Sequence, residues 1–405
     1  MLLEGVQVLD IGSYVAAPVA ATVMADFGAD VVKVEPLTGD PYRRLLTPPV
    51  LAAFPNFFWD QDSRNKRSLA IDVTETAGRE VIERLIQRSD VVITNYRLEL
   101  LERLKLRYDD LRAIRENIIY GQVSSYGLTG ADANRTAFDS TAWWARSALM
   151  DMVRRPGAPH GQSVAGMGDH PTGMSLFGGI MGALYQRERT GKGAHVQTSL
   201  VANGAWSNSM MIQGALVGFD PTELRSPDDF KRSPLASLYE TGDDRVLLLS
   251  ILNPDKEWLP LLRVLDRQEW ADDPRFSERD ARVEHNMELY DAIATVFRMD
   301  TASSWCQRLD AERITYSLVQ TMSEVINDPQ MYESDVITPV SPGKQLYAHT
   351  VNSPVWITGV DKRAPVAAPG IGEHSVDILS ELGMSGTEID ALISDGVVGQ
   401  EEAES

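Results

Sequence analysis

The chain has 405 residues, more than one hydrophobic core usually supports, so two domains or one large lobed domain are expected. Its 38 Lys and Arg against 58 Asp and Glu give a formal charge of −20, which argues against nucleic acid or an anionic membrane as the main ligand. Hydrophobic residues make up 43% but form no apolar run of membrane-spanning length, and no basic segment leads into an apolar core at the amino terminus, so a cytoplasmic protein is expected.

Residues 6–11 read as a short apolar strand, followed by the small residues Gly12, Ser13, Ala16 and Ala17 and an apolar helix through Ala25. Gly28 suits that helix's C-terminus, and a second strand covers 31–35. Strand, helix and strand in so short a span form a βαβ unit, which implies a parallel sheet. The loop after the first strand lacks the Gly-x-Gly-x-x-Gly spacing, so no nicotinamide or flavin cofactor is expected. Arg43, Arg44, Arg64, Lys66 and Arg67 interrupt the acidic background, either as solvated surface or as the cations a phosphorylated ligand requires.

A strand at 68–73, an amphipathic helix at 76–89 and a strand at 90–94 make a second βαβ unit, ending in Asn95-Tyr96-Arg97. Ligands of open α/β sheets sit beyond the carboxyl ends of strands, so this polar, aromatic and cationic cluster suits an adenine and its phosphates. A strand at 118–123 runs into the turn-rich loop 124–130. Residues 138–152 read as a helix whose Trp143 and Trp144 serve a core or interface. An apolar helix at 175–189 and a strand at 195–200 close this block.

Residues 217–229 are rich in Pro, Asp and Ser and read as a linker. Strands at 237–241 and 246–250 flank Gly242-Asp243-Asp244 as a hairpin, and helices at 256–265, 282–298 and 301–308 complete a smaller α+β unit. Short strands follow at 316–319 and 355–357, then a Pro-rich stretch, Gly372-Glu373-His374 and an amphipathic helix through Leu382. His374 reads as structural, and residues 401–405 as a frayed tail.

The chemistry is expected in Gly168-Asp169-His170-Pro171-Thr172-Gly173. A carboxylate between glycines lies where backbone can approach a ligand closely and amide N–H groups are not shielded by side chains. It also lies just ahead of a helix N-terminus, whose dipole favours an anion. Asp169 is thus a candidate nucleophile, although the same composition describes an ordinary turn or helix cap. Cys306 is the single cysteine, and His160, His170, His195, His285, His349 and His374 include no pair at helical ligand spacing, so no metal is expected.

Taken together, Leu9-Asp10 with the small-residue loop, Phe27-Gly28-Ala29-Asp30-Val31-Val32-Lys33-Val34-Glu35, Asn65-Lys66-Arg67-Ser68, Thr94-Asn95-Tyr96, Gly127-Leu128-Thr129-Gly130, Gly168-Asp169, Arg189-Thr190-Gly191-Lys192-Gly193 and Gly372-Glu373-His374 carry a resemblance. In this order and spacing the chain resembles the class III coenzyme A transferases, the formyl-CoA and crotonobetainyl-CoA transferase family, over nearly its full length. The resemblance implies an α/β fold with a Rossmann-like large domain whose parallel sheet is built from both chain ends, residues 1–205 and 323–405. It implies a linker at 206–229, a small α+β domain at 230–322, and a homodimer of interlocked rings. The catalytic carboxylate falls on Asp169. Ile71, Asp72, Val73, Thr74, Asn95, Tyr96, Arg97 and Arg103 fall where relatives hold the CoA nucleotide, and Val15 and Ala16 where the pantetheine enters. The chain departs from relatives in having Leu98-Glu99 where Pro-Gly is common and Pro36 in place of a basic residue.

The implied partners are an acyl-CoA and a carboxylic acid, with the CoA thioester as substrate and no cofactor. Asp169 would attack the donor carbonyl to give a mixed anhydride, and the released thiolate would convert it to an aspartyl-CoA thioester. The N–H groups of Gly168 and Gly173 are candidate oxyanion donors, each worth on the order of 3 kcal/mol. One rival is an acyl-CoA racemase, in which an Asp and a His move the α-proton. Similar racemases carry that His on the helix that here begins Ala137-Phe138-Asp139, where this chain has Phe138, and His170 is expected to point away. A second rival is a catalytically weak partner subunit, against which the retained Asp169 speaks. Oxalate-handling relatives carry a Gln where Val15 stands and a Gly-rich segment that 217–220 does not match, so formyl-CoA and oxalate are not expected. A dicarboxylate donor such as succinate with an unsaturated or aryl-substituted acceptor is expected instead, with Arg146 or Arg135 facing the second carboxylate.

Overall fold

The computed structural model describes residues 1–45, 54–155, 157–221, 233–343 and 347–400. The main sheet has six parallel strands: β1 (Gln7–Asp10), β2 (Asp30–Glu35), β3 (Arg67–Ile71), β4 (Val91–Thr94), β5 (Ile119–Ser124) and β6 (Ala194–Ser199). Their order is β3-β2-β1-β4-β5-β6, that of doubly wound nucleotide-binding sheets. Every residue of β4 is buried, which is why its sequence reads as a continuous apolar run instead of an alternation.

Helices fill the crossovers. α1 (Pro18–Asp26) starts on Pro18 and gives way to Gly28, whose φ of 101° suits only glycine at low strain. All nine α1 residues are buried, so this helix has no solvent face. α2 (Phe57–Ser63) lies between β2 and β3, and α3 (Thr76–Arg88) between β3 and β4, burying Val81, Ile82, Leu85 and Ile86 along one stripe. α4 (Leu98–Leu104) and α5 (Tyr108–Ile114) bridge β4 and β5.

Residues 138–152 do not form the single helix expected. Ser140–Ala145 makes a wide π-type turn, Ala148 takes a left-handed φ of 66°, and α6 (Leu149–Met152) follows. The next helix, α7 (Asp169–Thr190), begins six residues before the expected start at Ser175. Pro171 sits in its first turn, where no intrahelical N–H donor is required, so the helix runs through it.

Most of the basic cluster of the sequence is tied up in ion pairs, and only Arg44 of it is exposed. Lys66 donates to Asp10 at 2.9 Å and to the Pro18 carbonyl at 2.8 Å, and Lys33 pairs with Asp40 at 3.0 Å. Arg64 holds Asp26 through two bonds of 3.1 and 2.7 Å, Arg43 holds Glu35 through 2.8 and 2.7 Å, and Arg67 joins Asp30 to Glu381. Lys33, Arg64 and Lys66 are buried, and cations taken out of water need a carboxylate partner, which each of them has. This buried layer fixes the loop after β1: Asp10 accepts from Gly12 N–H, and Asp40 from Ser13 Oγ and Tyr14 N–H. Tyr14 is thereby held at φ 59°, a strained value for an aromatic residue. Where the strand order reverses between β1 and β4, Ser13 N–H donates to Asn95 Oδ1 at 2.8 Å and Asn95 Nδ2 returns a bond of 2.7 Å.

The chain divides into two compact units. One comprises Met1–Val153, His160–Ile212 and Gln330–Ser405, and the other Arg154–Pro159 and Gln213–Pro329. In the smaller unit β7 (Leu238–Glu240) and β8 (Val246–Leu249) form the expected hairpin, and β9 (Tyr316–Leu318) adds a third antiparallel strand. Helices Pro254–Leu265, Asn286–Phe297 and Ala302–Ala311 pack Trp258, Leu261, Phe297 and Trp305 against it. The helix expected at 282–298 is interrupted at His285. Of the expected linker at 206–229, Ser209–Leu216 is a helix and residues 222–229 lie outside the described residues, as do 230–232 of the expected small domain and 401–405 of the expected tail.

The returning segment gives the two-stranded ladder β10 (Ile337–Pro339) and β11 (His349–Val351), while the strand expected at 355–357 is reduced to one bridge, Ile357 to Val360. After helix Ser375–Glu381 comes helix Gly386–Ser394, opened by a Ser385/Glu388 capping box, and then β12 (Val398–Gly399). β12 runs antiparallel beside β3, so the seven-stranded sheet draws on both ends of the chain. Among the described residues no helix is long and apolar enough to cross a membrane.

Candidate active site

Asp169 is the first residue of α7 and lines a cavity of about 1350 Å³ in the larger unit. The walls come from the loop after β1 (Tyr14, Val15), from α1 (Val19, Val23), from α2 (Phe57, Phe58, Asp62), from Phe138 and Asp139, from the start of α7, and from β11. Gly173 explains how α1 and α7 come so close: a Cβ there would lie 2.9 Å from the Ala16 carbonyl and 2.8 Å from Val19. A Cβ on Gly168 would meet Trp143 at 2.6 Å. Both glycines thus serve packing.

That placement corrects the expected oxyanion donors. Gly168 N–H donates to Asp139 Oδ2 at 3.1 Å, and Gly173 is the fifth residue of α7, where the helical ladder uses its N–H. Neither amide is open to a ligand in this conformation.

His170 faces the same cavity as Asp169, against the expectation that it points elsewhere. Its Nε2 lies 2.9 Å from Asp62 Oδ1 and its Nδ1 2.9 Å from the Gly166 carbonyl. Both neighbours only accept, so both ring nitrogens donate and the ring is an imidazolium. Burial opposes that charge, but the Asp62 hydrogen bond and charge outweigh it and push the pKa up to about 9. Asp62 is itself buried and fixed from its other oxygen by Tyr42 Oη at 2.6 Å. The Tyr42 hydroxyl is driven upward by burial and by the Asp62 charge, so it stays a donor.

Asp169 stands between opposing influences. Burial, and then the neighbouring Asp139 and Asp62 charges, raise it to about 7 against the pull of His170. A carboxylate that ionises near neutrality beside a fixed imidazolium can act as a nucleophile, with a cation close by for developing negative charge. Asp62→Asn will return the His170 pKa from about 9 toward the ordinary value of about 6.5, read from the pH titration of its ring proton by NMR. An unchanged titration would assign the cation to another cause.

The remaining expected residues form separate groups. Val15 lines the cavity, with Ala16 buried behind it. Ile71 is buried in the core and Val73 packs against it, so neither presents a free side chain. Asp72 closes its own turn by accepting Thr74 N–H at 2.8 Å and Thr74 Oγ1 at 2.6 Å. Asn95 is engaged by Ser13, Tyr96 packs on the core, and Arg97 and Arg103 are exposed at the start and on the surface of α4. These groups share one edge of the sheet, but β3 and β4 lie three places apart, on the order of 14 Å. Arg135 and Arg146 are not in the cavity wall: both pair with Asp132, at 3.7 and 3.1 Å, and lie over the Tyr126 ring. The sequence reading missed Tyr42, Asp62 and Asp139. Asp139 alone left a signal, as a polar residue at the start of a helical segment.

The sequence profile of CoA-transferase family III matches residues 3–375. Across 98% of this chain and 100% of the relative, the chain is 28% identical to (R)-2-hydroxy-4-methylpentanoate CoA-transferase of Clostridioides difficile. It is 26% identical to cinnamoyl-CoA:phenyllactate CoA-transferase of Clostridium sporogenes, covering 97% of this chain and 96% of that one. Among solved structures, a mutant of Rv3272 from Mycobacterium tuberculosis superposes with a TM-score of 0.80 at 25% identity, over 93% of this chain and 98% of that one. A match running through the six parallel strands, α7 and β11 covers the scaffold and the cavity alike, and it makes this chain a CoA-transferase of family III.

Proposed function

We propose that Asp169 is the nucleophile through which this enzyme moves coenzyme A from an acyl-CoA donor to a carboxylic acid. One observation carries the reading: the Asp169 carboxylate opens α7 in the wall of a large apolar cavity, beside an imidazolium locked by Asp62 and the Gly166 carbonyl. An Asp169 oxygen attacks the thioester carbonyl, the carbon–sulfur bond breaks, and CoA leaves as thiolate from a mixed anhydride. The thiolate then attacks the aspartyl carbonyl and releases the donor acid, leaving an aspartyl-CoA thioester. The acceptor carboxylate attacks that thioester, expels the thiolate and forms a second anhydride. Thiolate attack on its acceptor carbonyl yields the new acyl-CoA and frees Asp169. Both His170 N–H groups are engaged, so its charge acts on the developing oxyanion through space and without a hydrogen bond.

In this reading Asp72, Thr74, Asn95, Tyr96, Arg97 and Arg103 contact the nucleotide end of CoA, and Val15 and Ala16 the pantetheine. The working form is a cytoplasmic homodimer of interlocked rings with no cofactor. A racemase would need a second base across the substrate. His170 is instead on the same turn as Asp169 with both nitrogens engaged, which disfavours that chemistry.

Incubation with a panel of acyl-CoA donors, followed by mass spectrometry of the peptide that carries Asp169, tests the reading. A CoA or acyl adduct absent from Asp169→Ala is expected. No adduct, with deuterium entering the acyl α-carbon in heavy water, would overturn it in favour of racemisation. CoA bound without turnover would leave a partner-subunit role.

A further inference from the structure

We infer that the acyl group this enzyme transfers is a bulky apolar monocarboxylic one, aromatic or branched, and that acids with a second carboxylate are rejected. The inference rests on the CoA-transferase reading of the Asp169 cavity and names the substrate class of that site.

The first argument is the wall. Tyr14, Phe57, Phe58, Phe138, Val19 and Met174 surround the space, and Phe138 stands edge-on to Tyr14 with ring centroids 5.5 Å apart. Such surfaces gain by covering apolar area and offer aromatic rings to a planar or branched group. At about 1350 Å³ the cavity exceeds the range of roughly 300–1,000 Å³ common for small-molecule sites, leaving room beyond a pantetheine arm.

The second argument is charge. Asp60, Asp62, Asp139 and Asp169 all face the cavity. Among the described residues the cations facing it are already committed: Arg64 to Asp26 and the Gln61 carbonyl, and His170 to Asp62 and the Gly166 carbonyl. His349, at the rim, stands edge-on to Tyr332 with centroids 5.4 Å apart. A second carboxylate on the substrate would enter an acidic, largely apolar space in which none of the described Arg and Lys side chains is free to receive it, and an unpaired anion is costly there. This replaces the expected dicarboxylate donor: Arg135 and Arg146, its assumed partners, are spent on Asp132 outside the cavity.

The test is the rate of adduct formation on Asp169, measured by quenching single turnovers of the wild-type enzyme. The donors are 3-phenylpropanoyl-CoA, 4-methylpentanoyl-CoA, propanoyl-CoA and succinyl-CoA. The aryl and branched donors are expected to react about tenfold or more faster than propanoyl-CoA, and at least about 100-fold faster than succinyl-CoA. Succinyl-CoA reacting as fast as the aryl donor overturns the inference while the Asp169 reading stands. No adduct from any donor overturns the Asp169 reading and the inference with it. Phe138→Arg, at a position that is 52% exposed, adds a cation to the wall and is checked for folding by circular dichroism. It should shift the succinyl-to-phenylpropanoyl rate ratio toward succinyl by roughly tenfold or more. An unchanged ratio in the folded variant would show that the acyl group does not lie against Phe138, and would overturn the inference.

Discussion

Asp169→Asn will reduce CoA transfer on the order of 10⁴-fold or more, the usual scale for loss of a covalent nucleophile, and will make the folded protein more stable above neutral pH. The rate falls because the nucleophilic oxygen is gone, and stability rises because a buried charge is gone. Burial and the Asp139 and Asp62 charges raise the Asp169 pKa to about 7, above its unfolded value of about 3.9. Between those two values the folded state holds a proton that the unfolded state has released. Stability therefore falls as pH rises through this window, and above about 7 the buried anion opposes folding in full. The neutral amide removes that opposition. Urea unfolding at about pH 8 should show the variant ahead of wild type, with the gap closing as pH approaches about 4. Wild-type transfer should rise with pH through about 7, as the carboxylate forms. Residual activity within tenfold of wild type would remove Asp169 as nucleophile, and equal stability at high pH would show that its environment does not oppose the charge.

Asp10→Asn will cost about 3–5 kcal/mol of stability, because it leaves the ammonium of Lys66 buried without its carboxylate. The Pro18 carbonyl stays within 2.8 Å of Lys66 but carries no charge. Burial pushes the Asp10 carboxyl upward, yet Lys33 and Lys66 outweigh it and hold the group below the ordinary range. The pair's contribution is thus present above the ordinary carboxylate value and is lost as pH falls through the lower folded one. Denaturant midpoints of Asp10→Asn, of Lys66→Met and of the two combined separate this account from simple loss of packing. The double variant strands no cation and should recover part of the loss. A double variant as unstable as the sum of its parts would refute it.

The inner strands were legible because a parallel sheet covered on both faces favours short, β-branched apolar runs bounded by turns, as in Val91-Val92-Ile93. Asp169 was legible as a site for a different reason, its setting between glycines. What those glycines do was not legible, since Trp143 and the Ala16 carbonyl reach them from other segments. The same distance hid the buried ion pairs, whose partners lie 38 residues apart in Asp26–Arg64 and 56 apart in Asp10–Lys66. His170 and Asp62 are 108 residues apart, so nothing local says that the ring turns into the cavity. β12 was missed because two residues carry no periodicity, and α7 began earlier than expected because Pro171 fits a first helical turn as readily as a loop.

The full burial of α1 has a consequence for how this enzyme can change over generations. Val19 and Val23 line the cavity on a helix that is at the same time core on every side, so a substitution there that reshapes the cavity also disturbs the packing around it. Phe54, Phe57 and Phe138 line the same space but are 61%, 43% and 52% exposed, and they can vary with little loss of stability. One wall of the cavity is thus closed to mutational drift and the other open to it, and new acid preferences should be acquired through the aromatic rim.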